Sequence, residues 1–108
     1  MNREEILERA KKCVNGGRDL TYGSPESNFD LIARLWGVYK GVEFTPVDVS
    51  LMMGLMKVAR ASSGSGSLDT FVDLAGYAAC GGELWAKENG YANKECTCVQ
   101  HTRCDSCN

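Results

Sequence analysis

The sequence predicts an all-α domain of four helices followed by a cysteine-rich tail, and three observations point to it. Apolar residues recur at helical spacing in four separate stretches. No window alternates with period two for long enough to make a strand. The chain has only two prolines, Pro25 and Pro46, and each directly follows a serine or threonine, as at the first position of a helix. At 108 residues the chain is small for a core that folds without staples. Residues 1–90 read as the folded domain and 91–108 as the tail.

The first helix is expected from about Glu4 to Val14, with Ile6, Leu7, Ala10, Cys13 and Val14 on one side. Asn2 with Glu5 three residues on has the form of a capping box, and Asn15-Gly16-Gly17 ends the segment. After a polar turn, Ser24-Pro25 opens the second helix. Its expected core face is Phe29, Ile32, Ala33, Trp36 and Tyr39, and Gly41 stops it. Thr45-Pro46-Val47-Asp48 opens the third in the same way. Leu51, Met52, Leu55, Met56, Val58 and Ala59 give it a wide apolar face, leaving Lys57 and Arg60 on the polar side. The run 62–67, Ser-Ser-Gly-Ser-Gly-Ser, reads as a flexible connector.

The fourth helix starts near Leu68 or Asp69 and ends near Gly90, carrying Phe71, Val72, Leu74, Ala75, Ala78, Ala79, Leu84 and Trp85. Ala75, Gly76, Ala78, Ala79, Gly81 and Gly82 are small, and a mid-helix glycine costs about 1 kcal/mol against alanine. Small residues there let a neighbouring helix, a second subunit or a ligand approach closely. The apolar faces of helices three and four are wider than one small bundle needs, which predicts a homo-oligomer.

Twelve Lys plus Arg against fourteen Asp plus Glu give a net charge of -2, which argues against a nucleic-acid polymer as partner. The apolar runs are too short for a membrane helix, and Met1-Asn2-Arg3-Glu4-Glu5 offers no apolar signal core. A cytoplasmic, reducing setting is therefore expected. Cys13 and Cys80 fall inside helices and are expected to be buried thiols. Cys96, Cys98, Cys104 and Cys107 form C-x-C-x5-C-x2-C around His101. In a reducing compartment that cluster reads as a zinc knuckle or as reduced thiols, with a disulfide as the third possibility.

Residues with chemistry gather around the connector. Asp69 and Asp73 lie one helical turn apart, so their carboxylates share a side and suit Mg²⁺ or Mn²⁺. The same acids also complement a helix N-terminus and need no other role. Lys57 and Arg60, just before the connector, suit a phosphate, the arginine fork offering bidentate contact. A solvated basic edge is the plainer alternative. If helices three and four form a hairpin, both pairs meet at one end with a movable loop between them, as a nucleotide site requires. Tyr22 and Asn28 are candidates for stacking on a base and reading its edge. Glu26, Asp30 and Asp48 read as caps or solvated charges. No phosphate-cradling P-loop, G-x-G-x-x-G or H-E-x-x-H motif is present.

Three blocks carry a family resemblance: Asp19-Leu20-Thr21-Tyr22-Gly23-Ser24-Pro25-Glu26-Ser27-Asn28-Phe29 with Ile32-Ala33 and Leu35-Trp36; Thr45 to Val49 with Leu51-Met52-Met53, Leu55 and Lys57-Val58-Ala59-Arg60; and Asp69 to Ala79. Together they resemble a small, mainly bacteriophage family of uncharacterised function, related in turn to the all-α MazG-like nucleoside triphosphate pyrophosphohydrolases. The resemblance covers about residues 3 to 88. It implies a small four-helix, MazG-like, oligomeric fold around a nucleotide pocket. It also implies Mg²⁺ held by an E-x-x-E pattern on one helix and E-x-x-D on the next. Asp69 and Asp73 match the second element at a spacing of four rather than three, and the first element is not evident. The expected function is capture of a nucleotide or nucleotide-derived signal, such as a host immune second messenger, without an intact hydrolytic metal site. The alternatives are a metal-dependent pyrophosphohydrolase or nucleotide-processing enzyme, and a protein-interaction module using the tail.

Overall fold

The structure is a computed structural model and describes residues 1–15 and 25–91. The described residues form four α-helices and no strand: α1 (Arg3–Asn15), α2 (Pro25–Lys40), α3 (Pro46–Ser62) and α4 (Leu68–Glu88). Each boundary falls within a few residues of its expected place because local chemistry sets it. Asn2 Oδ1 accepts the Glu5 amide at 2.9 Å and caps α1. At α3 the box is reciprocal: Thr45 Oγ1 accepts the Asp48 amide at 3.1 Å, and the Asp48 carboxylate accepts the Thr45 amide at 2.9 Å. Proline at its first position loses no hydrogen bond, since that amide is an orphan in any helix.

The C-termini of α2 and α4 use one device. Gly41 and Gly90 adopt φ of 68° and 75°, a left-handed conformation open to glycine at little cost. The following amide then reaches back five residues, Val42 to the Gly37 carbonyl at 3.3 Å and Tyr91 to that of Ala86 at 2.8 Å. The Tyr91 ring closes the second of these against Trp85, with centroids 5.5 Å apart.

α3 and α4 form a hairpin with the most extensive contact in the fold; α1 packs on α4 and α2 mainly on α3. Phe29 and Ala33 of α2, Val49 of α3 and Leu84 of α4 make the buried core. Ile32, Trp36, Phe44, Val47, Met53, Tyr77 and Cys80 flank it. The small residues of α4 act as expected within the chain. A side chain on Gly76 would meet Val14 of α1, and one on Gly81 would stand 2.7 Å from Ser50 Oγ of α3. Ser50 is buried there, its hydroxyl donating to the Tyr77 carbonyl.

Several expectations about faces are overturned. Tyr39 is not core but 86 % exposed, because α2 turns Phe29 and Ala33 inward and ends before another element can cover its last turn. α3 is rotated from its expected setting: Leu51, Met52, Leu55, Met56, Val58 and Ala59 are all exposed, while Val49, Ser50 and Gly54 face inward. Where α4 comes closest, at Ser50 and Gly54, the seam takes small residues, and most of the large apolar side chains of α3 other than Met53 are left outside. On α4, Phe71, Ala78, Ala79 and Trp85 are likewise exposed. Cys13 is exposed and Cys80 only half-buried.

Candidate functional site

Val49, Met53 and Lys57 succeed one another at one-turn intervals along the inward side of α3. That periodicity carries Lys57 into the seam against α4. Its side chain is only 12 % exposed, and Nζ lies 2.9 Å from Oδ2 of Asp73, whose side chain is 39 % exposed. One member of the expected phosphate pair is thus bound to one member of the expected metal pair, and the seam ends in a half-open ion pair. Arg60, three residues on, is exposed and has no ion-pair partner among the described residues. Asp69, one turn before Asp73, is exposed in the first turn of α4. Both pairs therefore stand at one end of the hairpin, as expected, but they meet through Lys57 and Asp73 alone.

The connector is a built turn. The Ser63 amide donates to the Ala59 carbonyl at 3.0 Å, and its hydroxyl lies 3.2 Å from the Arg60 carbonyl and 2.9 Å from the Ser65 hydroxyl. Gly64 takes φ of 84°. A Cβ on Gly66 would stand 2.8 Å from the Cα of Ala61, so the strand of chain entering α4 lies directly on the end of α3. The Ser67 amide then donates to Thr70 Oγ1 at 2.9 Å. Glycine serves here for close approach and a left-handed turn, a use that composition alone does not separate from flexibility.

Electrostatically, this end offers Lys57 and Arg60 toward the C-terminus of α3 and Asp69 and Asp73 toward the start of α4; Arg60 and Asp69, in the terminal turns, are favoured by their helix dipoles. A divalent cation wants several hard oxygen ligands and no ammonium among them. Asp73 is held by Lys57, and among the described residues no group of three or more His, Cys, Asp or Glu side chains comes together. Lys57 thus holds the Asp73 carboxylate that a Mg²⁺ or Mn²⁺ ion would have to share with Asp69. Lys57 and Arg60 are donors of the kind an anion takes, and Asp73 is the part-exposed counter-ion of Lys57.

Asn28 is half-buried in the first turn of α2, and no hydrogen bond or ion pair among the described residues ties it to this group. Asp30 pairs with Arg34 on the same helix, and Asp48 caps α3, the plain roles expected for both. Tyr22 lies outside the described residues, as do Cys96, Cys98, His101, Cys104 and Cys107 of the expected zinc knuckle. Sequence reasoning missed Asp73 as the partner of Lys57. The spacing of Lys57 from Val49 and Met53 was the available signal. Among the described residues no helix is long and apolar enough to cross a membrane.

Comparison with known proteins places this geometry in a phage setting. The model of a family described as a domain of unknown function, DUF6378, matches residues 5–85. The Gene 55 protein of Mycobacterium phage L5 is 51 % identical over 74 residues, covering 68 % of this chain and 47 % of its own length. The Gene 55 protein of Mycobacterium phage D29 is 43 % identical over 77 residues, covering 71 % of this chain and 51 % of its own. The chain thus spans about half the length of these relatives. No solved structure matches it.

Proposed function

This chain belongs to the DUF6378 family of domains of unknown function, and from that premise we propose that it binds a nucleotide or nucleotide-derived signal through its phosphate and does not hydrolyse it. The single observation that carries this reading is the half-open Lys57–Asp73 pair beside Arg60, which has no ion-pair partner among the described residues. An incoming phosphate meets the Arg60 fork first. It then competes with the Asp73 carboxylate for the Lys57 ammonium, and Asp73, part exposed, rotates into water at little cost. A charge-assisted hydrogen bond contributes about 1.5–3 kcal/mol, so losing Lys57 should weaken binding roughly ten- to hundredfold.

The competing reading is a metal-dependent pyrophosphohydrolase, favoured by the one-turn spacing of Asp69 and Asp73 on α4. One substitution divides the two. Asp73→Asn removes the competing negative charge while keeping the side chain's shape. As a binder the protein should then hold phosphates more tightly, several-fold by titration calorimetry. As a hydrolase it should lose pyrophosphate release in Mg²⁺ or Mn²⁺. A thermal-shift panel of linear and cyclic nucleotides, with and without divalent metal, identifies the ligand. If no member raises the melting temperature by a degree, both nucleotide readings fail.

A further inference from the structure

We propose that the Lys57–Asp73 pair selects the form of phosphate the chain accepts, admitting a terminal phosphomonoester and turning away a phosphodiester, with Asp73 as the residue that sets the choice. It rests on the phosphate-binding reading and names, within it, the class of nucleotide. A phosphomonoester has three terminal oxygens and, with a second pKa of about 6, carries close to two negative charges at neutral pH. A phosphodiester has two such oxygens and one charge. Arg60 is exposed and has no ion-pair partner among the described residues, and its planar fork takes two oxygens of either ester. Only the monoester then has a terminal oxygen to spare. Lys57, three residues earlier on α3 and so a neighbour on the helix surface, is the donor within its reach.

That donor is already engaged. Lys57 Nζ lies 2.9 Å from Asp73 Oδ2, on a side chain only 12 % exposed, so whatever takes it must be a better acceptor than a carboxylate. A carboxylate spreads one charge over two oxygens. A diester does the same, and exchanging Asp73 for it gains nothing. A monoester dianion places roughly two-thirds of a charge on each of three oxygens, so the exchange runs in its favour. The displaced Asp73 side chain is 39 % exposed and Asp69 is exposed too, so water and salt screen both carboxylates from the incoming dianion. A diester therefore stops at Arg60, while a monoester continues into the seam to Lys57. One charge-assisted hydrogen bond separates the two, a difference of roughly ten- to hundredfold in affinity.

Matched ligands isolate that difference. The 5′-monophosphate and the 3′,5′-cyclic monophosphate of one nucleoside share base and sugar and differ by a single P–O ester bond. Titration calorimetry on the full chain, with the adenosine, guanosine, cytidine and uridine pairs, should show a monophosphate bound roughly tenfold or more tighter than its cyclic partner. In Asp73→Asn the competing charge is gone, so the cyclic ligand should gain more than the monophosphate and the ratio should narrow to a few-fold. In Lys57→Met the ratio should narrow from the other side, by loss of the monophosphate alone. A pair that only holds α3 to α4 would move both ligands together and leave the ratio unchanged in both variants, which overturns the proposal. A cyclic ligand bound by wild type as tightly as its monophosphate also overturns it, and leaves phosphate binding itself standing. No binding by any of the four pairs overturns it as well, and no response across the wider nucleotide panel removes the phosphate-binding reading with it.

Discussion

The two faces of α3 are composed in the reverse of the usual order. Its inner face is Val49, Ser50, Met53, Gly54 and Lys57; its outer face is Leu51, Met52, Leu55, Met56 and Val58. Hydropathy alone would fold the helix the other way round. The difference shows that fit to the partner surface, more than apolar content, selects the buried face. α4 presents Gly81 where α3 presents Ser50, and at that point the helices stand so close that a larger side chain would clash.

The strongest way to break this contrast is to enlarge the inner face. In Gly81→Val the new Cβ falls 2.7 Å from Ser50 Oγ and 3.2 Å from its Cβ, so the helices must part or Ser50 must give up its bond to Tyr77. A loss of about 3 kcal/mol is expected, which for a domain of this size lowers the melting temperature by roughly 12 °C or more. Because both contacts are to Ser50, Ser50→Gly in the same chain should recover part of the loss. A double-mutant cycle should show coupling of about 1 kcal/mol or more. Simple additivity would mean that this seam does not set the helix spacing.

A smaller effect separates core from surface directly. Val49 is fully buried, and Val49→Ala should cost about 2 kcal/mol through lost transfer energy and a residual cavity. Tyr39→Ser, at a position where helical spacing alone expects core, should stay within about 0.5 kcal/mol by urea denaturation. Equal costs would return Tyr39 to the core and contradict the orientation of α2.

These outcomes also mark what could be read from the chain alone. Helix ends were legible because Asn2, Thr45 with Asp48, the two prolines, Gly41 and Gly90 act within a few residues of themselves. Close packing by the glycines of α4 was legible too, since glycine inside a helix is costly without such a reason. The rotation of α3 was not, because hydropathy ranks side chains by solvation and says nothing of the gap they must fill. The site inherits that error. Lys57 and Asp73 were each visible as candidates, but only the true rotation turns Lys57 from an open basic edge into the partner of Asp73.

The smallest expected stability effect concerns that pair, and its smallness is informative. Lys57→Met keeps the packed stem and removes the charge, leaving Asp73 to a solvent that already reaches 39 % of its side chain. A part-exposed ion pair contributes about 0–1 kcal/mol, whereas breaking a fully buried one costs about 3–5 kcal/mol. Unfolding of Lys57→Met should therefore lie within about 1 kcal/mol of wild type, while the thermal shift given by a bound nucleotide is lost. A loss above 3 kcal/mol would make Lys57 a structural clasp between α3 and α4. Any accompanying loss of ligand response would then follow from a disturbed hairpin rather than from a missing phosphate donor. A stable variant that still responds fully to nucleotide would remove Lys57 from the site and leave the inner face of α3 with a purely structural cation.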